Sequence, residues 1–156
     1  MNIFVIYEDP YLAAIHQIDK HVVKMPLESA QMLCSALMRH SKGAIGLVTP
    51  YKKAYIKHPC TLWAGDTRSN FDWLFMHGIY LCQEYTRRYN KVHASEEIIA
   101  WCGYHSTIIP AGKQTPHPLC MPLKYRKRGA VRSYRAFYKG DKKEFATWKA
   151  NKPSWW

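Results

Sequence analysis

The 156-residue chain has no apolar run near the roughly 18 to 20 residues that cross a bilayer, so no membrane anchorage is expected. It has no C-x-x-C pair, and its five cysteines, Cys34, Cys60, Cys82, Cys102 and Cys120, lie 18 to 26 residues apart. That spacing argues against a disulfide framework and a zinc finger, and predicts buried, reduced thiols. Eight histidines are present, but no H-x-x-x-H pair occurs and His16 with His21 has i,i+5 spacing, so neither a metal nor another cofactor is predicted. There is no Walker sequence, Gly-rich dinucleotide fingerprint or hydrolase serine motif. The start MNIFVIYEDP carries acids where a secretory signal carries a basic segment, which predicts a cytoplasmic protein.

Acidic residues are scarce. Lys and Arg outnumber Asp and Glu by 23 to 11, giving a formal charge of +12 that calls for an anionic partner. The excess is uneven: residues 1–120 hold 12 basic against 9 acidic side chains, and residues 121–156 hold 11 against 2. The same final segment carries eight aromatics, Tyr125, Tyr134, Phe137, Tyr138, Phe145, Trp148, Trp155 and Trp156. Cations attract phosphates and flat rings receive unstacked bases, so DNA or a small anionic nucleotide fits better than a bilayer. An amphipathic helix with its rings in the core and its cations in water accounts for the same pattern. Trp155 and Trp156 suit either a partner surface or a tail folded back on the protein, which leaves the oligomeric state open.

With 47% hydrophobic and 22% charged residues, the chain can build a core unaided, and one mainly α domain over residues 1–156 is expected. Ile3 to Tyr7 reads as a strand or extended arm, and Glu8-Asp9-Pro10 as a turn opening a helix. Helical periodicity from Tyr11 to His40 places Ile15, Ile18, Val22, Leu33, Ala36 and Leu37 on a core face, with Pro26 expected to kink or divide the run. Ser41 to Pro59, with Gly43, Gly46 and Pro50, reads as a loop. Asp66 or Thr67 caps a second long helix with Phe71, Leu74, Phe75, Ile79, Cys82 and Tyr85 inward. Ser95-Glu96-Glu97 and Gly103 bracket a short helix. Residues 103–122 should be irregular, and a last helical region from Gly129 to Trp148 should break near Gly140-Asp141.

Chemistry concentrates in Asp19-Lys20-His21-Val22-Val23-Lys24-Met25-Pro26-Leu27-Glu28. At about 100° per residue from Lys20, Gln31 falls near 20°, Lys24 near 40°, Glu28 near 80° and His21 near 100°. Two amines, an imidazole and a carboxylate on one face can bind an anion or move a proton. The same spacing equally gives an ordinary Lys24–Glu28 surface pair. His58-Pro59 is held extended before Trp63, as suits an imidazole aimed into a site, or a turn that packs the indole. Arg87, Arg88, Lys91 and His93 are further candidates for holding phosphate.

These residues carry a resemblance to the pyrimidine-dimer DNA glycosylases, the phage endonuclease V type of small helical repair enzyme. Asp19, His21 and Glu28 resemble that family's Asp-x-His pair followed seven residues later by a catalytic glutamate. Cys82 to Tyr89 is similar to its acidic, basic and aromatic helix end, and Pro153-Ser154-Trp155-Trp156 to its terminus. The chain also resembles small phage proteins beginning MNIF with an Asp-Lys-His-Val-Val-Lys segment, which would put it in a bacterial host's cytoplasm.

The resemblance implies an uncharged amine that attacks the sugar C1′ and expels a damaged or modified base. The resulting imine leads to strand elimination, with Glu28 stabilising the sugar cation and moving protons. The family uses a terminal amine, a class with a reference pKa of about 7.7–8 against about 10.4 for lysine. Asn2 is not small, so Met1 is expected to stay and to supply that amine, with Lys20 or Lys24 as substitutes. The family's arginine before the glutamate is Leu27 here.

Two other readings remain at this point. One is a non-catalytic sponge for a small nucleotide or cyclic nucleotide, caged by Lys20, His21, Lys24, Arg87 and Arg88 with an aromatic such as Trp63 on the base. The other is a nucleotide hydrolase using His21 and His58 as acid and base.

Overall fold

The computed structural model describes residues 1–41 and 47–156, so Gly43 and Gly46 of the expected loop lie outside the described residues. The architecture is all-helical: α1 (Pro10–Ile15), α2 (Asp19–His40), α3 (Pro59–Asp66), α4 (Arg68–Tyr89), α5 (Glu96–Tyr104) and α6 (Ala130–Lys139), with single 3₁₀ turns at Ser106–Ile108, Leu123–Tyr125 and Lys143–Phe145. No strand occurs among the described residues. The two long helices α2 and α4 pack on each other; α3 and α5 contact both, and α1 lies on α4.

Local chemistry explains most boundaries. Asp9 caps α1 by accepting from the Leu12 N–H, and Pro10 fills the first position, where a missing N–H costs nothing. Thr67, the second of the two expected caps, accepts from the Asn70 N–H to start α4, while Asp66 ends α3. The αL residue Asn90 closes α4. The 10–40 run does divide, but not at Pro26. The break is at residues 16–18, where Ile18 turns extended and buries its side chain, and α2 runs continuously through Pro26. Gly103 does not cap α5 from outside; it lies within that helix, where an added Cβ would clash with the Phe75 ring.

The N-terminal arm is the unusual element. Ile3, Phe4, Val5 and Ile6 are all buried although no strand pairs with them. Buried backbone polar groups need partners, and side chains supply them: Gln17 Nε2 donates to Ile3 O, Arg135 Nε to Ile6 O and Trp73 Nε1 to Glu8 O. Phe4 adopts φ 59°, a left-handed conformation that a bulky residue takes only when its surroundings impose it. Its ring lies 4.0 Å from that of His21 and meets Tyr134, Phe137 and Tyr138 of α6. Through this arm, α6 is fastened to α2.

Candidate active site

Threading the arm past α2 brings the first residue of the chain to the polar face of that helix. Glu28, only 7% exposed, accepts a 2.9 Å hydrogen bond from the Asn2 N–H at Oε2. The Met1 ammonium lies 3.8 Å from the same oxygen, and Lys24 Nζ lies 3.1 Å from Oε1. A buried carboxylate without partners would be strongly disfavoured; here two amines and a backbone donor surround it. Asn2 is itself fixed, with Nδ2 donating to Cys120 O and Oδ1 accepting from Tyr134 OH and the Ile3 N–H. The arm is therefore held to within a hydrogen bond's tolerance of Glu28.

Met1, Asn2, Phe4, His21, Lys24, Met25, Glu28, Phe137 and Lys142 line a cleft of about 200 Å³. Of the sequence candidates, Met1, His21, Lys24 and Glu28 meet here. His21 stacks on Phe4 and shares a 2.6 Å hydrogen bond with Tyr138 OH through Nδ1. Burial, then the positive charges of Lys142 and Lys24, push its pKa down to about 3. His21 is thus a neutral imidazole near neutral pH, and it cannot hold phosphate by charge. Lys24 and Glu28 do form the i,i+4 pair, at a carboxylate that is buried rather than on a solvated face.

The remaining candidates are placed elsewhere. Lys20 lies over the Phe145 ring at 4.9 Å, and Lys91 is exposed. Arg87 forks onto Glu84 with two 2.8 Å bonds. The Arg88 side chain is fully buried, bonded to Glu84, Asp19 and the Gln17 and Ile15 carbonyls. The anion cage expected of Lys20, His21, Lys24, Arg87 and Arg88 is therefore not assembled: Arg88 is an interior clamp and His21 carries no charge. His93 bridges α2 and α5, with Nε2 at Val23 O and Nδ1 accepting from the Ser95 N–H. Trp63 is not a platform for a base. It is buried, donates to Thr115 O and packs against Trp73 and His117.

His58 caps α3, with Nδ1 accepting from the Cys60 N–H, and is not among the residues lining the cleft, so the His21–His58 acid-base pair is not formed there. The Cys60 thiol donates to Cys120 Sγ at 3.5 Å. That bond, more than any other influence, holds Cys120 down to about 7, while the same bond and burial push Cys60 up.

Sequence reasoning missed Asn2, Phe4, Tyr138 and Lys142. Lys142 and Tyr138 left only a trace, as one of the cations and one of the aromatics crowded into the last quarter. Lys142 lies 4.7 Å from the Phe137 ring centroid and 5.6 Å from that of Phe145. A larger cleft of about 560 Å³ is lined by Tyr7, Leu12, Arg128, Arg132 and Arg135 among others. Arg135 lies over the Tyr7 and Trp155 rings at 4.6 and 4.9 Å, so the penultimate tryptophan folds back onto the protein.

The arrangement of a terminal amine, a buried glutamate and an adjacent imidazole on one early helix coincides with a family match. The pattern of the family described as pyrimidine dimer DNA glycosylase matches residues 1–97, well over half of the chain. The chain belongs to the pyrimidine dimer DNA glycosylase family. The matched stretch contains Met1, Asn2, His21, Lys24 and Glu28, whereas Phe137 and Lys142, which also line the cleft, follow it. No curated protein and no solved structure matches the chain. No helix among the described residues is long and apolar enough to cross a membrane.

Proposed function

We propose that the protein is a DNA glycosylase with AP lyase activity on damaged or modified bases, using the Met1 amine as nucleophile and Glu28 as its acid-base partner. The observation that carries this reading is the buried Glu28 carboxylate with Met1 N 3.8 Å away, in a cleft lined by both. Family membership supports it at the level of DNA glycosylase chemistry.

The neutral amine attacks the sugar C1′: an N–C bond forms, the glycosidic bond breaks, and the base leaves with a proton. Loss of the amine protons and opening of the ring give an imine. Removal of a C2′ proton then expels the 3′ phosphate. Glu28 can stabilise the developing sugar cation and carry the protons. Lys24, whose side chain is 67% exposed, is placed to meet a phosphate at the cleft mouth. The cleft volume of about 200 Å³ is below the roughly 300–1,000 Å³ of pockets that engulf a whole small ligand. It suits a sugar with its phosphate, and the base must leave the stack for C1′ to be reached.

Borohydride reduces an imine to a stable secondary amine, so incubation with abasic duplex DNA and borohydride tests the reading. The expected result is a covalent protein–DNA adduct and, without borohydride, a cut strand. Recovery of intact DNA, or of an unaltered small nucleotide released on heating the protein, would refute it.

A further inference from the structure

A second cluster of chemistry-bearing side chains lies beside the arm, in a place linear spacing could not reveal. His58 caps α3, Cys60 is the second residue of that helix, and Cys120 arrives 60 residues later from the irregular segment. One ligand atom from each lies within 4.8 Å of the others, and the two sulfurs are 3.5 Å apart.

We propose that His58, Cys60 and Cys120 form a binding site for one thiophilic divalent cation of the zinc class, with its fourth position open to water. Zinc–sulfur bonds of about 2.3 Å at tetrahedral angles set two sulfurs about 3.8 Å apart, close to the spacing already present. Two thiolates and a dication sum to zero charge, which a site with one fully buried cysteine can accommodate, whereas two bare thiolates there could not. Binding displaces to solvent the protons that the two thiols still hold.

The imidazole must also change. An ion on Nδ1 takes the lone pair that now accepts from the Cys60 N–H, and an ion on Nε2 leaves Nδ1 protonated, so either way the α3 cap bond is exchanged for a metal bond. Cys34 and Cys102 are equally close, with sulfurs 3.5 Å apart, but no third ligand joins them in such a group among the described residues. The site ties α3 to the segment beyond the family match. The Met1 amine acts electrostatically on all three ligands, so a bound ion and the proposed nucleophile would influence each other.

The test is titration of the reduced full chain with Co²⁺ alone, followed by thiolate-to-cobalt charge-transfer absorption, with Zn²⁺ then added to displace it. The expected result is saturation at one ion per chain, not two, with release of between one and two protons near neutral pH and a thermal midpoint that rises with ion concentration. Cys120→Ser and His58→Gln, with folding checked by circular dichroism, should each weaken binding by more than the roughly 10–100-fold that loss of an outer-shell partner costs. Absence of the band in folded wild-type protein would overturn the site. So would a band unchanged in Cys120→Ser, or a Cys60–Cys120 disulfide as the resting form. No DNA enters the measurement, so its failure leaves the glycosylase reading standing and the reverse holds too.

Discussion

Glu28 and Lys24 occupy the same helix face one turn apart, yet their environments separate their roles. The carboxylate is largely covered by the arm and meets only the cleft, and the ammonium reaches solvent. Glu28→Gln keeps an acceptor for the Asn2 N–H but removes the charge and the basicity. It is expected to lower base release by about 10²–10⁴-fold, the usual worth of a positioned acid-base group. Lys24→Ala is expected to weaken DNA affinity while leaving single-turnover chemistry on saturating DNA within about tenfold, because the lost contact acts on phosphate. Single-turnover assays with both variants check the contrast, and equal chemical defects would contradict it. His21 belongs at this scale too. Its stack on Phe4 and bond to Tyr138 fix the ring, and the helical wheel that placed it on a polar face could not show that the arm and α6 cover that face.

At the scale of elements, the junction of α1, α2 and α4 is held by Arg88. Its guanidinium bonds the buried Glu84, Asp19 and two carbonyls at the α1–α2 turn. Removing one partner of a buried ionic network leaves charge uncompensated, so Arg88→Ala is expected to cost about 3–5 kcal/mol of stability. Arg87, half exposed on the same Glu84, should cost about 1 kcal/mol or less. Denaturant unfolding of the two variants distinguishes them; similar losses would contradict the clamp. Both arginines read from sequence as a basic helix end, and nothing in a one-dimensional pattern told the buried one from the exposed one. Helix existence was far more legible: the turn at Glu8-Asp9-Pro10 that opens α1, a cap at one of Asp66 and Thr67, the α4 stripe at Phe71, Leu74 and Cys82, and the break near Gly140 all follow from local chemistry. Pro26 misled because a local rule was asked to place a break that tertiary packing put at Ile18.

For the whole molecule, three buried histidines couple folding to pH. Burial lowers His21 and His77 to about 3 and His117 to about 4, from the ordinary value of 6.5. The unfolded chain therefore takes up protons below pH 6.5 that the folded one refuses. Their stabilising contribution is complete above that pH and falls on acidification toward pH 4 and below, by about 1.4 kcal/mol per pH unit for each imidazole. Thermal midpoints measured from neutrality to about pH 4 should fall steadily; a flat profile would contradict the assignment.

The basic last quarter was visible in composition, but not its division of labour. Tyr134, Phe137 and Tyr138 are buried, as the amphipathic reading has it, while Arg128, Arg132 and Arg135 line a cleft. If that cleft follows the DNA backbone, affinity falls steeply with salt, and Arg132→Ala lowers the slope of log K against log salt by about 1. A slope unchanged in Arg132→Ala would place the DNA elsewhere. Fold class was thus readable from periodicity and caps, and the site only in part, because Asn2, Phe4 and Tyr138 reach it through long-range packing.

The central claim, that the chain's first amine acts beside Glu28, is tested most directly by protease digestion and mass spectrometry of the borohydride-trapped DNA adduct. The account predicts that the sugar remnant sits on the α-nitrogen of the N-terminal peptide and that acetylating this amine abolishes trapping. An adduct on Lys20 or Lys24, or full trapping by the acetylated protein, would contradict it.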